Sequence, residues 1–219
     1  MDKCVICGGV TRCLAMNKTY DYCPGCEFIR LQNCHLLSEN QEYNRYLQHD
    51  NTEENAGYVK MFRQFLSQLQ PLLPAPGNAL DFGCGPGPVL ARMLKKRGWE
   101  VSLYDPYFAP EEEFWRHKYS LITATEVVEH IHQPLPVWQR LAGLLQPGGV
   151  LAIMTSFHPG PDEFCDWWYR RDPTHVAFYN QKTFDWLGEH LGLTVCTVKD
   201  GKSLALLKGE GHENRYTCT

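Results

Sequence analysis

The segment Asp81-Phe82-Gly83-Cys84-Gly85-Pro86-Gly87 leaves this chain few ways to fold. It follows a short apolar run, Asn78 to Phe82, and precedes a helical pattern from Val89 to Arg97 that Gly98 closes, so its glycines occupy the turn from a strand into a helix. Glycine there lets the backbone approach a ligand that side chains would hold off, in front of a helix N-terminus. Asp105 comes twenty-two residues after Gly83, at the end of a second apolar run, Val101 to Tyr104. From that position a carboxylate accepts hydrogen bonds from both hydroxyls of a ribose. Pro88 stands where a dinucleotide loop carries its third glycine, so the pattern favours a nucleoside without a pyrophosphate over a nicotinamide cofactor.

Strand and helix patterns keep alternating. Leu121 to Thr125 reads as a third strand, and after Pro134 and Pro136 the residues Val137, Trp138, Leu141, Leu144 and Leu145 recur at helical spacing. Pro147-Gly148-Gly149 turns into the strand Val150 to Thr155, Lys182 to His190 is helical, and Leu193 to Lys199 with Leu204 to Lys208, joined by Asp200-Gly201, form an antiparallel pair. The order predicts an α/β fold over residues 78–208, with a Rossmann-like, mostly parallel sheet and an antiparallel last strand. Residues 37–77 are expected to be a helical linker. Within it 38–57 is polar, with one short helix at most, and Tyr58, Phe62, Phe65, Leu66 and Leu69 mark a longer helix that Pro71, Pro74 and Pro76 stop. Residues 209–219 read as a solvated tail.

Six of the ten cysteines precede residue 36: Cys4, Cys7, Cys13, Cys23, Cys26 and Cys34. Cys4-Val-Ile-Cys7 and Cys23-Pro-Gly-Cys26 are two knuckles whose spacing lets four thiolates meet one zinc ion. Residues 1–36 are too few to bury a core, so a zinc-binding, ribbon-like module is expected there, with metal binding supplying on the order of 10 kcal/mol of folding energy. Four thiolates leave no open position, so the zinc is expected to be structural. Cys13, Cys34 and His35 are spare candidate ligands, read as packing residues in preference to ligands. Lys and Arg number 21 against 25 Asp and Glu, a net charge of -4, which lacks the footprint of a general nucleic-acid or anionic-membrane binder. At 43% hydrophobic the chain is not a disordered one. No apolar run reaches the roughly 20 residues of a membrane span, and Met1-Asp2-Lys3-Cys4 starts no signal peptide, so a cytoplasmic protein without a membrane partner is expected.

Taken together, D-F-G-C-G-P-G, Leu103-Tyr104-Asp105-Pro106, Thr125-Glu126-Val127-Val128-Glu129-His130 and Leu145-Gln146-Pro147-Gly148-Gly149 resemble the class I S-adenosylmethionine-dependent methyltransferases over about residues 78–208. The resemblance implies S-adenosyl-L-methionine as cofactor and a seven-stranded sheet. Gly83, Gly85 and Gly87 would face its methionine part, Asp81 would hold its amino group directly or through water, and Asp105 would bind its ribose. Glu126 is placed with the same cofactor residues. The chain departs from the family in one place. Between Asp105 and Leu121 only fifteen residues remain, too few for the usual helix, third strand and acidic loop, which leaves the adenine contacts unassigned.

Glu126, Glu129 and His130 stand at i, i+3 and i+4, and a helical turn would point all three into the crevice. This segment is similar to one in the small-RNA terminal 2'-O-methyltransferases and the quinone-biosynthesis O-methyltransferases, where a downstream His completes a divalent-metal site. His175 in Arg171-Asp172-Pro173-Thr174-His175-Val176 fits that position. The resemblance thus implies a second metal on Glu126, Glu129, His130 and His175. That donor set suits manganese, iron, cobalt or zinc better than magnesium. Without a metal, His130 or His175 remains as a general base. Trp167, Trp168 and Tyr169 either stack on a planar substrate or seal the domain, Arg170 and Arg171 offer an anion contact, and His158 is a weaker candidate base. The expected activity is methyl transfer to an O, N or S atom of a small polar or aromatic acceptor, O-methylation being favoured. An RNA or protein acceptor gripped by the zinc module and a non-catalytic cofactor-binding protein stay open, as does the oligomeric state, while Pro88 disfavours a nicotinamide-dependent reductase.

Overall fold

The computed structural model describes residues 2–48, 51–198 and 200–210. The chain runs through β1 (Arg12–Ala15), β2 (Thr19–Tyr22), β3 (Ile29–Leu31), α1 (Glu39–Tyr46), α2 (Ala56–Leu69), β4 (Asn78–Phe82), α3 (Val89–Lys95), β5 (Glu100–Tyr104) and β6 (Tyr119–Thr125). It continues through α4 (Pro134–Leu144), β7 (Leu145–Met154), β8 (Ala177–Phe178), α5 (Gln181–Leu191), β9 (Leu193–Thr197) and β10 (Ser203–Lys208). From residue 211 the expected tail lies outside the described residues.

Among the described residues the larger sheet has the order β5-β4-β6-β7-β10-β9. Strands β5, β4, β6 and β7 are parallel, and β10 runs antiparallel to both β7 and β9, which gives the expected mostly parallel α/β sheet with an antiparallel final strand. It has six strands rather than the seven that the family resemblance implied. Between Asp105 and β6 the chain forms only a 3-10 segment, Glu112–Arg116. The β5 edge is instead packed with rings: Phe114 lies 4.3 Å from Tyr104 and 4.0 Å from Trp115, and the Arg140 guanidinium stands 3.6 Å over Trp115.

Alternation along the strands divides the core into two faces. Ala79, Leu121, Val150, Ala152 and Leu207 pack with α2 and α3, through Phe62, Phe65, Leu66, Leu69, Leu90 and Leu94. Leu80, Ile122, Leu151, Ile153 and Leu206 pack with α4 and α5 and with Ile6, Tyr20, Phe28 and Ile29 of the N-terminal segment. Local sequence explains the element ends. Asn55 and Asn180 cap α2 and α5 through the amides of Tyr58 and Thr183, and Gly192 ends α5 in the left-handed region. Strand β7 begins before the expected Val150 because the Pro147-Gly148-Gly149 turn is absorbed as an irregularity opposite Tyr119, where a Cβ on Gly149 would stand 2.8 Å from Gln146 O.

The second sheet, β1-β2-β3-β8, is antiparallel. Its fourth strand comes from the long connection after β7, with Ile29 opposite Phe178 and Arg30 opposite Ala177. Residues 1–36 therefore share a sheet with residues far along the chain.

Candidate active site

A cavity of about 480 Å³ opens where β4, β5 and β6 end, with α1 and α2 across from it, within the size range of small-ligand sites. Gly83, Cys84, Gly85, Asp105, Glu126, His130 and His175 line it, as do Glu42, Tyr46, Asn51, Tyr58 and His132.

The glycine loop turns as its sequence requires. Gly83 has φ +76 and a Cβ there would sit 2.3 Å from Val127 Cγ2, while a Cβ on Gly87 would sit 2.0 Å from Asn51 O. The amides of Gly83 and Cys84 donate to Tyr104 O at 2.7 and 3.1 Å, tying the loop to the end of β5. Asp105 is fixed from three sides: Oδ2 accepts from Gly85 N at 3.1 Å, and Oδ1 from Tyr107 N at 2.9 Å and Phe108 N at 3.1 Å. A carboxylate has about four acceptor positions, so roughly one remains for a ligand hydroxyl. Asp81 and Gly87 are not among the lining residues. Asp81 is buried behind the loop, accepting from Thr123 Oγ1 at 2.9 Å, and burial pushes its carboxyl up to about 6.

The carboxylate and imidazole cluster forms at the end of β6. Glu126 takes the left-handed region with φ +54, rare for a residue with a Cβ, and Val128–His130 make one 3-10 turn rather than an α-helix. Tyr169, buried, donates its hydroxyl to Glu129 Oε1 and lies 3.0 Å from Glu126 Oε2. Burial, and then the Glu129 charge, push Glu126 up to about 8, and burial pushes Glu129 up to about 7. Glu129 Oε2 is buried without a hydrogen-bond partner.

His130 Nδ1 lies 3.0 Å from Thr174 O and His175 Nδ1 lies 2.7 Å from Tyr169 O. Carbonyl oxygens only accept, so each Nδ1 carries the proton and each Nε2 presents a lone pair. Metal-binding histidines are oriented in the same way. The two rings are 4.8 Å apart, and Glu129, His130 and His175 each bring one ligand atom within 4.8 Å of the others. Three of the four residues expected to share a second metal thus converge, and Glu126 stands across the Tyr169 hydroxyl from them. The donor set, with an unpartnered buried carboxylate oxygen, fits a divalent ion of borderline softness.

At the N-terminus the Sγ atoms of Cys4 and Cys26 are 3.6 Å apart, and those of Cys7 and Cys23 are 3.4 Å apart. A tetrahedral zinc with bonds of about 2.3 Å spaces its sulfurs by about 3.8 Å, so the four thiols fit such an ion. The amides of Ile6 and Gly9 donate to the sulfurs of Cys4 and Cys7, both at 3.4 Å. The hydrogen bond from Cys26, stronger than the opposing effect of burial, holds the Cys4 thiol down to about 5. Cys13 and Cys34 stand outside this group and are exposed rather than packed, while His35 Nε2 lies 2.9 Å from Thr19 Oγ1.

The residues after β7 do not face the cavity as a stacking surface. Trp167 packs with Phe164, Phe178 and Tyr169, Trp168 is 64% exposed, and Arg170 donates to Cys165 O and Asn17 Oδ1. His158 is corrected as a candidate base: it is buried, donating from Nε2 to Glu27 O at 2.7 Å and accepting at Nδ1 from Gly160 N at 3.2 Å. Both of its nitrogens are used.

A short helix within residues 38–57 was expected, but nothing in the sequence placed α1 against the cavity. Glu42 Oε1 lies 2.8 Å from His132 Nε2, Tyr107 donates to Glu42 Oε2 at 3.3 Å, and Tyr46 stands edge-on to His130. Arg45 reaches Asp172 Oδ2 at 2.6 Å, and Asp172 Oδ1 accepts from the amide and hydroxyl of Thr174, the residue whose carbonyl holds His130.

The methyltransferase domain family matches residues 43–198 of the chain. No curated protein matches it significantly. Among solved structures, it is similar to 1,6-didemethyltoxoflavin-N1-methyltransferase from Burkholderia thailandensis, at a TM-score of 0.51 and 14% identity, over 91% of this chain and 99% of that one. The mitomycin 7-O-methyltransferase MmcR gives a TM-score of 0.50 at 14% identity over 74% of this chain. An O-methyltransferase family protein from Burkholderia thailandensis gives 0.48 at 13% identity over 78%. The chain spans 59% and 64% of the lengths of these last two proteins, and at 14% identity the likeness to the first two structures is one of fold. Residues 43–198 take in both the glycine loop and the carboxylate and imidazole cluster, and by that match the chain belongs to the methyltransferase domain family.

Proposed function

We propose that this methyltransferase moves the methyl group of S-adenosyl-L-methionine to an oxygen of a small polar or aromatic acceptor. The observation that carries this reading is the shared cavity: the glycine loop and Asp105 line it together with His130 and His175, both held with the proton on Nδ1. Asp105 accepts from the ribose, and the loop backbone receives the methionine part. Tyr46 and Tyr58 narrow the cavity against water. With no metal on the cluster, His130 or His175 takes the acceptor proton at Nε2, and Tyr169 holds Glu129 in place beside them. Bound here, the cofactor would supply a methyl group already activated on sulfonium; in place of the histidine base, a divalent ion held by Glu129, His130 and His175 would lower the pKa of an acceptor hydroxyl. Cys4, Cys7, Cys23 and Cys26 hold a structural zinc. A charge balance of -4 supports a small acceptor over RNA.

Native mass spectrometry with S-adenosylhomocysteine and manganese tests the reading. One zinc, one nucleoside and a second ion lost in Glu129→Gln are expected. Failure to bind the nucleoside removes the methyltransferase reading, and a missing second ion reduces the histidines to plain bases.

A further inference from the structure

The turn from Cys23 to Glu27 does more than supply two thiols. Glu27 has φ +60, a left-handed conformation that is strained in a residue with a Cβ, and distant residues surround it. His158 Nε2 donates to Glu27 O at 2.7 Å, Asn180 Nδ2 to Glu27 Oε2 at 2.6 Å, and Thr183 Oγ1 to Cys26 O at 2.9 Å. Lys182 Nζ lies 3.3 Å from Glu27 Oε1. Immediately afterwards the Phe28 ring meets Tyr179 edge-on at 5.1 Å, and the Tyr179 hydroxyl donates to Val128 O at 3.2 Å.

Strand β3 then carries the connection into the cluster. Among the described residues β8 has β3 as its one strand neighbour. Leu31 N donates to Val176 O and Val176 N donates to Glu129 O, both at 2.8 Å. Val176 follows His175, so the backbone on either side of the imidazole pair is held through β3. The glycine loop and Asp105 are tied instead to Tyr104, Tyr107 and Phe108.

From this geometry we propose that the four-cysteine knuckle is a brace for the reactive histidines: its zinc ion fixes the Cys23–Leu31 segment, and that segment positions His175 and Glu129. The proposal rests on the reading of His130 and His175 given above. Glu27, Phe28 and Leu31 are positioning residues for the reaction. The knuckle serves the chemistry from behind, and no partner needs to be gripped by it.

The test uses the full-length protein with 15N-labelled histidine. In the wild type, which must carry one zinc, His130 and His175 give signals of the Nδ1-H tautomer. In Cys7→Ser, with zinc lost, those signals move toward the Nε2-H form of free imidazole, kcat falls at least ~10-fold as for other outer-shell losses, and S-adenosylhomocysteine affinity changes less than about threefold. Glu27→Ala keeps all four thiols, so it carries the test if Cys7→Ser does not fold. It is expected to retain zinc and show a smaller shift of the same signals, with kcat lowered and KM for the cofactor unchanged. Zinc-free protein with unmoved histidine signals and wild-type kcat overturns the brace, as does wild-type protein without zinc. Signals that move in a protein that methylates no acceptor support the brace and sink the functional reading alone.

Discussion

A buried carboxyl group stays charged only where hydrogen bonds or cations replace the water it has lost. Asp81 is hydrogen-bonded by the Thr123 hydroxyl and the Ala91 backbone, yet burial outweighs both and raises its carboxyl from an ordinary 3.8 to about 6. The folded state therefore holds this proton more tightly than the unfolded chain does. Asp81 favours folding below about pH 4, and that contribution is lost as the pH rises to about 6. Asp81→Asn keeps the Thr123 contact without the charge, so the variant is expected to match the parent at pH 4 and to exceed it by up to about 3 kcal/mol at pH 7.5. Urea titrations at the two pH values measure this, and a weaker affinity of the same variant for S-adenosylhomocysteine would tie the charge to the cofactor amino group. Gly83, Gly85, Asp105, Glu129 and His130 were legible in the sequence through turn chemistry and spacing, and His175 only through the family resemblance. Tyr169 was visible only as a ring, since the carboxyl groups its hydroxyl meets lie 40 and 43 residues away.

At the scale of elements, α1 is the piece that periodicity could not describe. Eight residues, all polar apart from its tyrosines, make too short a helix to stand alone. It forms against the cavity through Glu42 on His132 and Arg45 on Asp172. Burial raises the Asp172 carboxyl, and the hydrogen bonds from Arg45 and Thr174 outweigh it and hold the group below the ordinary range. Arg45→Met removes the ion pair and loosens α1 over the cofactor cavity. For a partly exposed pair this amounts to about 1 kcal/mol, or roughly fivefold in Kd for S-adenosylhomocysteine, measured by calorimetry. By contrast, the shortened β5 edge was legible by counting, because fifteen residues cannot make a helix and a further strand. What fills the edge, the Tyr104, Phe114 and Trp115 rings, follows from packing that sequence spacing does not encode.

Across the whole molecule one apolar cluster runs from Cys4, Tyr20 and Phe28 through Phe178 and Tyr179 to Leu204. Sequence reading set residues 1–36 apart because the cysteine pattern is self-contained, whereas a two-residue strand such as β8 carries no periodicity to announce its partner. With the core shared, a zinc chelator is expected to lower the melting temperature of the whole protein in a single calorimetric transition. Separate melting of the first 36 residues would contradict that continuity. The pairing of β3 with β8 also bears on synthesis. Asn180, which holds Glu27, follows it by 153 residues. At 5 to 20 residues per second, a ribosome releases the cysteine knuckle roughly 7 to 30 s before the strand it must join. During that interval the nascent chain presents an unpaired β-edge beside Phe28 and Ile29. Early metal loading would order the knuckle beside this edge during the interval, without closing the edge before its partner strand is made.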